Sequence, residues 1–334
     1  MKAIKALIPA AILLGMAGAA QAQMVVYGLL DGSYGKSVDA DIKDLKADFH
    51  SGGDNGSGEG NSTSRFGIKG STDVGSGIKA NFKLETAGIT SDGDVGTPNA
   101  TTGVNSSPFF NRQAWLGFSG SFGEVRLGRQ DSVPFQTMID FDFNGASNGV
   151  SSLGYANAAI WGRGRQSRSL QYISPTLSGA KVQLGFTPEG NTAGNKANGS
   201  AAVTYTIGPV AVAASFESKR TETSERFASV AGTYDFGVAK VMLGYADGGK
   251  NAQARGVNAG LNVTVAGFNF GGLVAKNRDT KGVAFELYAN KEVLKNTIAY
   301  AEVGVADHKA VNFLTSGSKD EEATGFAVGV IYIF

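Results

Sequence analysis

The chain contains no cysteine among its 334 residues. Disulfide bonds therefore cannot hold it together, and thiol chemistry and cysteine-based metal sites are excluded. After the first residues, no segment approaches the roughly 20 uninterrupted apolar residues that a membrane-spanning helix needs. Proline is scarce at 7 residues and there are only 2 histidines, so few residues are available for a histidine-based catalytic or metal site.

The chain also lacks an excess of charge of either sign, with 30 basic and 29 acidic residues. A nucleic-acid-binding protein would show a basic excess, so nucleic acid is excluded as a partner. His50 and His308 fall in predicted external loops, and no phosphate-binding loop or metal-spaced histidine pair occurs. We expect no serine nucleophile elbow either. The chain is therefore expected to need no cofactor or metal and not to be an enzyme.

The first 22 residues are typical of a secretory signal peptide. Lys2 and Lys5 provide a positively charged start, and Ala6 to Gly18 is an apolar run. Ala20-Gln21-Ala22 is a small-x-small cleavage site. We expect cleavage there and a single domain over residues 23–334. A buried N-terminal helix is the alternative for the same apolar run.

Strand-forming residues dominate what is present. Glycine is abundant at 48 residues and aromatic residues make up 10%, which together with β-branched residues favours strands. The clearest strand is the last stretch, Thr324 to Phe334, where large apolar residues alternate with mostly small ones. Its large apolar face consists of Phe326, Val328, Val330, Tyr332 and Phe334. Such a strand suits either the closing strand of a transmembrane barrel or the terminal strand of a soluble sandwich.

Similar segments of about ten residues follow one another along the chain, separated alternately by short turns and long polar loops. The predicted strands are Met24 to Gly35, Thr63 to Ser71, Ile78 to Ala87, Phe109 to Phe118, Glu124 to Gln130, Arg165 to Ile173, Ala180 to Thr187, Ser200 to Ile207, Val210 to Glu217, Arg226 to Tyr234, Val238 to Ala246, Ala254 to Val265, Phe268 to Lys276, Gly282 to Asn290, Thr297 to Ala306 and Glu322 to Phe334. An even number of strands with this alternation of turns predicts an all-β fold, a 16-stranded antiparallel transmembrane β-barrel. In lipid such a sheet must close on itself, because every backbone polar group needs a partner.

A barrel of this size is too wide for its own side chains to fill, so it encloses an aqueous channel. The longest central interruption, residues 131–164, is rich in aromatic and aliphatic side chains. We expect this segment to fold into the lumen as a constriction loop; a surface loop that contacts a neighbouring molecule is the alternative. Its acidic residues Asp131, Asp140 and Asp142 would then face basic residues across the gap.

Strand alternation directs several basic residues into the lumen. In the second predicted strand the apolar side chains face lipid, so Arg65 and Lys69 point inward. If Trp115 faces lipid, Arg112 points inward as well. A further basic cluster near the sixth strand consists of Arg163, Arg165 and Arg168. Arginines on one wall would attract anions and repel cations, unless they are ordinary solvated surface residues.

The order of several motifs resembles the general porins of Gram-negative outer membranes, in particular their trimeric β-proteobacterial branch. The matching segments are Val26-Tyr27-Gly28, Ser64 to Gly70, Asn111 to Gly117, Gly123 to Gln130, the loop that follows and the terminal Phe334. The resemblance covers essentially all of the mature chain. It implies a homotrimer in the outer membrane lipid, exported through the periplasm, with a third loop folded into each lumen. Small hydrophilic solutes and ions would diffuse passively through it.

The resemblance also implies an anion preference that depends on a stack of lumen arginines. Arg65 and Arg112 match that stack in their motifs. Arg168 matches it less closely, and the neighbouring Arg163 or Arg165 could take its place.

The same resemblance suggests further roles for charged residues. Asp140 and Asp142 would be counter-charges in the loop, and Arg129 would lie at the trimer interface because it shares the outward face of Val125 and Leu127. A substrate-specific channel is the first alternative, for which aromatic strips along the lumen would be expected. A barrel enzyme and a surface adhesin are less favoured, because a nucleophile with its base and a large external domain are both missing.

Overall fold

A computed structural model describes residues 23–52, 60–95, 108–190, 195–249, 254–315 and 321–334. The strands within these residues are β1 (Gln23–Lys36), β2 (Asp48–Ser51), β3 (Arg65–Gly75), β4 (Ile78–Ala87), β5 (Gln113–Gly120), β6 (Gly123–Asp131), β7 (Arg165–Ile173), β8 (Ala180–Thr187), β9 (Asn198–Ile207), β10 (Val210–Glu217), β11 (Phe227–Asp235), β12 (Ala239–Asp247), β13 (Arg255–Val265), β14 (Phe268–Asn277), β15 (Val283–Leu294), β16 (Thr297–Ala306) and β17 (Ala323–Ile333). The helices are α1 (Val38–Ile42), α2 (Val133–Met138), α3 (Ser152–Tyr155) and α4 (His308–Thr315), with a 3-10 turn over Ile139–Phe141. None of these described helices is long and apolar enough to cross a membrane. The proposed signal peptide lies outside the described residues.

All of these strands except the short β2 form one closed antiparallel barrel, which confirms the predicted all-β, 16-stranded fold. Consecutive long strands pair along the chain, and β1 closes the ring. The first half of β1 pairs with β3 and its second half with β17; Leu29 faces both Arg65 and Ile333. Closure pairs each long strand on both sides, as the lipid interior requires.

The last strand behaves as its alternation predicts. Val328 and Val330 are exposed on the outer face, whereas Ala327 and Ile331 are buried on the inner face. The terminal Phe334 is tied into the closing seam, because its N–H donates to the carbonyl oxygen of Gly28 at 3.1 Å and its own carbonyl accepts from the Gly28 N–H at 2.8 Å.

The predicted strand ends need correction by up to four residues. The predictions for β4, β7, β8, β10 and β16 have the observed bounds. The fourth predicted strand begins too early, because Phe109 and Phe110 lie before β5 and pack on each other, with ring centroids 5.0 Å apart. At the other end of the chain, β15 continues to Leu294 through an irregularity after Glu292, so the turn that follows is shorter than predicted.

The loop between β6 and β7 folds into the barrel, as predicted. A backbone hydrogen bond of 3.1 Å from the N–H of Ser132 to Gly164 holds its two ends together. The loop buries Met138, Phe141, Leu153 and Ile160 inside the barrel. These side chains pack in one cluster with small inward-facing residues of the strands from β10 to β16, which include Ala213, Ala231, Ala246, Ala275, Ala284 and Ala306. The hydrophobic core of this protein thus lies between the loop and one half of the wall.

Glycine in the wall allows the loop to approach closely. A Cβ atom added to Gly304 of β16 would lie 2.6 Å from the carbonyl oxygen of Val150. A side chain at this position would push the loop towards the lumen, so the missing Cβ contributes to the position of the loop.

Candidate functional site

The narrow part of the lumen is a cavity of about 540 Å³ between the barrel wall and the loop. The wall contributes Arg65 from β3, Arg112 from the segment before β5, and Arg165 from the start of β7. The loop contributes partly exposed apolar side chains, which are Phe135, Ile139, Tyr155 and Trp161. The site therefore has a basic side and an apolar side.

Arg112 is held in place by a buried carboxylate of the neighbouring strand. Its Nε donates to Glu85 Oε1 at 2.6 Å. Glu85 is only 3% exposed; it also accepts from the Tyr27 hydroxyl at 2.7 Å, and Lys83 Nζ lies 3.2 Å from its Oε2. Because three donors converge on one carboxylate, the guanidinium of Arg112 has a defined orientation at the wall.

The other two arginines have weaker restraints. Arg65 Nη1 donates to the carbonyl oxygen of Thr63 at 2.9 Å. Arg165 Nε lies 3.4 Å from Asp131 Oδ1, an ion pair without good hydrogen-bond geometry. The Arg165 guanidinium also lies 5.9 Å from the ring centre of Phe135, where the basic and apolar sides meet.

Basic groups outnumber acidic groups on this part of the wall. The basic side chains are Arg65, Arg112 and Arg165, and the acidic side chains beside them are Glu85 and Asp131. None of the described residues that line the cavity carries a carboxylate. The excess of positive charge raises the local concentration of anions.

The loop acids occupy different environments. Asp131 lies at the base of the loop beside Arg165. Asp140 is exposed and is not among the described residues that line the cavity. Asp142 is only 5% exposed, and its Oδ1 accepts from the Asn144 N–H at 3.0 Å within the loop. Burial raises the pKa of Asp142 to about 6. Of the three, only Asp131 is brought to the arginines.

Buried glutamates fasten the loop to the far wall. The side-chain amide of Asn144 donates to Glu286 Oε2 of β15 and to Glu302 Oε2 of β16, both at 3.1 Å. Ser152 Oγ donates to Glu286 at 3.1 Å, and Ser147 Oγ donates to Glu302 at 2.8 Å. These bonds satisfy carboxylates that would otherwise be costly to bury, and they fix the distance between the loop and the arginines.

The expectation that no nucleophile-elbow pattern occurs needs correction. Residues 145–149 read Gly-Ala-Ser-Asn-Gly, which matches the letters of that motif. Ser147 lies in the middle of the loop rather than between a strand and a helix, and its hydroxyl donates to Glu302. The serine therefore anchors the loop and has the wrong structural context for catalysis.

Arg129, Arg163 and Arg168 lie apart from the cavity that Arg65 and Arg112 share. They line a second pocket of about 240 Å³ between the loops that follow β8 and β10, together with Arg165, Lys196 and Arg220. Arg129 donates to the carbonyl oxygen of Asn111 and to Ser167 Oγ, both at 2.6 Å. Burial and the neighbouring Arg220 lower the pKa of Arg163. Arg165 alone lines both pockets.

Trp115 faces the lumen, which corrects the predicted phase of its strand. The Arg126 guanidinium lies 4.5 Å from its ring centre, whereas Leu116 and Phe118 are exposed on the outer face. Arg112 points inward because it lies in a bend before β5, where strand alternation does not apply.

Lys69 points inward but lies away from the arginine cavity. Its Nζ is 5.0 Å from the ring centre of Tyr27, and it lines a separate pocket with Trp115 and Glu124 near the short turns. The structure therefore separates Lys69 from Arg65, although the two residues share one strand.

Four important residues escaped the sequence analysis: Tyr27, Lys83, Glu85 and Trp161. For two of them, Lys83 and Glu85, the sequence contains a pattern that would have predicted a position in the lumen. In β4 the apolar residues occupy even positions from Ile78 to Leu84, while Lys83 and Glu85 occupy odd positions. This strict alternation places both charged residues in the lumen. Trp161 had no comparable signal, because it lies in an irregular loop.

Comparisons with known proteins agree with this architecture. A family model described as Gram-negative porin matches residues 9–332. An outer membrane porin protein of Bordetella pertussis is 30% identical over 277 residues, which is 72% of this chain and 69% of that protein. Outer membrane porin protein 32 of Delftia acidovorans is 30% identical over 258 residues, 71% of this chain and 67% of that protein. The solved anion-selective porin from Comamonas acidovorans superposes with a TM-score of 0.70 at 21% identity, over 94% of this chain and 100% of that one.

Proposed function

Because the chain belongs to the Gram-negative porin family, we propose that its constriction makes it an anion-preferring diffusion channel for small hydrophilic solutes. It is a protein of the outer membrane, and its closed barrel forms a porin channel there.

The excess of basic side chains around the cavity carries the proposal. Arg65, Arg112 and Arg165 line the cavity, and none of its described lining residues is acidic. Arginine keeps its charge at every relevant pH. A fixed positive wall lowers the energy of an anion in the narrow part of the lumen and raises that of a cation. The name of a structurally similar protein, an anion-selective porin, supports the same preference.

A homotrimer is the second part of the proposal. Near the closing seam, Tyr34 on the outer face of β1 packs against the exposed Phe49 of β2, with ring centroids 5.1 Å apart. Such an aromatic pair at the rim suits a contact with another barrel better than water. Arg129 remains the proposed interface residue. Chemical crosslinking of the purified protein in detergent would yield a species of three chains, and a single-chain species alone would contradict the assembly.

We also infer that the protein acts as a channel and has no enzymatic activity of its own. The curated relatives are porins, and Ser147 serves as an anchor of the loop.

Reversal potentials in planar bilayers test the anion preference. With a gradient of potassium chloride, the wild-type channel is expected to favour chloride. Arg65→Gln and Arg112→Gln each remove one charge from the cavity. A unit charge about 8 Å from the ion path stabilises chloride and destabilises potassium by about 0.5 kcal/mol each in a water-like dielectric, so each change should lower the chloride-to-potassium ratio about five-fold.

Arg278→Gln is the matched control, because Arg278 lies in the loop between β14 and β15 and donates to the Tyr245 hydroxyl at 3.2 Å. It removes the same charge away from the cavity and should leave the ratio unchanged. A wild-type preference for potassium would refute the proposal, and so would an unchanged ratio in both cavity variants.

A further inference from the structure

The constriction exposes apolar side chains that an anion channel does not need. Lumen-facing residues of water-filled barrels are ordinarily polar. Here the loop presents Phe135, Ile139, Tyr155 and Trp161 to the cavity, and α4 adds Leu314, which is 40% exposed. Apolar surface in contact with water raises the free energy of the open channel, and this cost falls when an apolar solute covers it.

Contacts within the loop restrain three of these apolar residues. Tyr155 and Trp161 pack at their backs against the buried core of the loop. The Tyr155 hydroxyl donates to the carbonyl oxygen of Asn148 at 3.4 Å. Phe135 lies in α2, whose first turn is capped by Ser132 Oγ, which accepts from the Phe135 N–H at 3.2 Å. A solute would therefore meet a preformed apolar surface.

The space between the two sides is lined by small residues. Gly145, Ala146, Ser147 and Gly154 of the loop all border the cavity. Its volume of about 540 Å³ falls within the range of about 300–1,000 Å³ that small-molecule sites occupy. A flat ring has room to lie along the loop while a charged group on the ring reaches the arginines.

We propose that the constriction favours anions that carry an aromatic or similarly flat apolar body over anions without one. The anionic group binds Arg65 and Arg112, and the ring packs against Tyr155 and Trp161. Arg165, whose guanidinium lies beside the Phe135 ring, contacts both parts of such a solute. This inference rests on the proposed anion preference and adds the chemical class of the preferred solute.

Block of the chloride current by four small probes tests the inference. Benzoate has both features, acetate lacks the ring, benzyl alcohol lacks the charge, and benzylammonium has the opposite charge. Covering part of one ring face should make the half-blocking concentration of benzoate about ten-fold lower than that of acetate. Benzyl alcohol and benzylammonium should block more weakly than benzoate.

Variants of the apolar residues test where in the constriction the ring of benzoate binds. Trp161→Ala and Leu314→Ser should bring the half-blocking concentration of benzoate closer to that of acetate, with each variant referred to its own chloride current. Leu314 is exposed on α4, so its change tests the apolar surface without opening the core of the loop. Trp115→Ala is the matched control, because this second lumen tryptophan lines a different pocket. It should keep the wild-type ratio.

The results of these experiments distinguish the preference for aromatic anions from the general preference for anions. Equal block by benzoate and acetate in a chloride-preferring channel overturns the inference and leaves the anion preference standing. A potassium-preferring channel overturns the anion preference itself. If Trp115→Ala weakens benzoate block as much as Trp161→Ala does, the ring binds elsewhere and the assigned position is wrong.

Discussion

The two halves of the barrel wall carry different types of side chain on the inner face and similar types on the outer face. From β3 to β7 the inner face carries charged side chains, such as Arg65 and Glu85, beside the open cavity. From β10 to β16 the inner face packs small apolar residues, such as Ala231 and Ala284, against the loop. On the outer face, Leu127 of β6 and Leu243 of β12 are equally typical exposed apolar residues.

This difference shows what determines each face. Apolar surroundings cover both halves from the outside, so exposed apolar residues recur on the outer face of both. Water covers one inner half and the loop covers much of the other, so a charged side chain needs no partner on the first and is costly to bury on the second unless it is hydrogen-bonded. Glu286 and Glu302 meet this condition, because loop side chains donate to both of them. Three changes test whether the loop maintains this division.

Removal of the amide that joins the loop to the far wall should have the largest effect. Asn144→Leu keeps the approximate shape and leaves Glu286 and Glu302 each without one donor. Leaving a buried acceptor without its donor costs about 1–3 kcal/mol, so the loop should open more often. Hydrogen exchange of residues 132–164 would measure this opening. Asn269→Leu, which breaks a contact with Asn290 outside the loop, should leave the exchange unchanged, and equal protection in both variants would contradict the role of Asn144.

Adding a methyl group to the wall beneath the loop should disturb the packing of the loop to an intermediate degree. Gly304→Ala places a Cβ atom 2.6 Å from the Val150 carbonyl oxygen, and overpacking of this kind costs about 1–3 kcal/mol. Thermal unfolding in detergent and single-channel conductance should both change. Gly199→Ala in β9 is the control, since nothing lies within 4 Å of the added atom. Identical melting of the two variants would show that the loop does not press on β16.

A change of pH should have the smallest effect. The pKa of Asp142 is about 6, above its ordinary value of 3.8, because burial disfavours the charged form. The folded protein therefore binds more protons than the unfolded chain between these values. This stabilisation is complete below about pH 4 and is lost as the pH rises through 6. The loop should be less stable at pH 8 than at pH 5, by on the order of 1 kcal/mol.

Two asparagine substitutions check the origin of this pH effect. Asp142→Asn should reduce the difference in loop hydrogen exchange between pH 5 and pH 8, after correction for intrinsic exchange rates. Asp140→Asn should preserve it, because Asp140 is exposed. A full pH effect in the Asp142 variant would assign it to another group.

Much of the fold could be predicted because lipid imposes a simple rule on every strand. Alternation alone gave the observed bounds of β4, β7, β8, β10 and β16. The same rule failed around Trp115, because an indole suits both a lipid-facing wall and a lumen beside Arg126. Strand alternation also cannot predict the direction of the Arg112 side chain, because this direction depends on a bend in the backbone and on the hydrogen bond to Glu85.

The candidate site was predictable only in part. Arg65 was singled out by its strand position and motif and Arg112 by its motif, and both line the cavity together with Arg165. Local sequence could not separate Arg165 from Arg163 and Arg168, since all three lie within six residues. The irregularity opposite Arg129, where the register between β6 and β7 shifts, gives these neighbours different directions.

The sequence by itself determined that this chain forms a closed transmembrane barrel with an inserted loop and a basic wall. Periodicity and residue type are local properties, and the membrane acts on each strand in the same way. The tertiary structure alone decided which side chains face the arginines. Asp142 turns towards the far wall and Trp161 towards the cavity, because the path of the loop depends on contacts with strands more than a hundred residues away in the chain, such as the bond from Asn144 to Glu286.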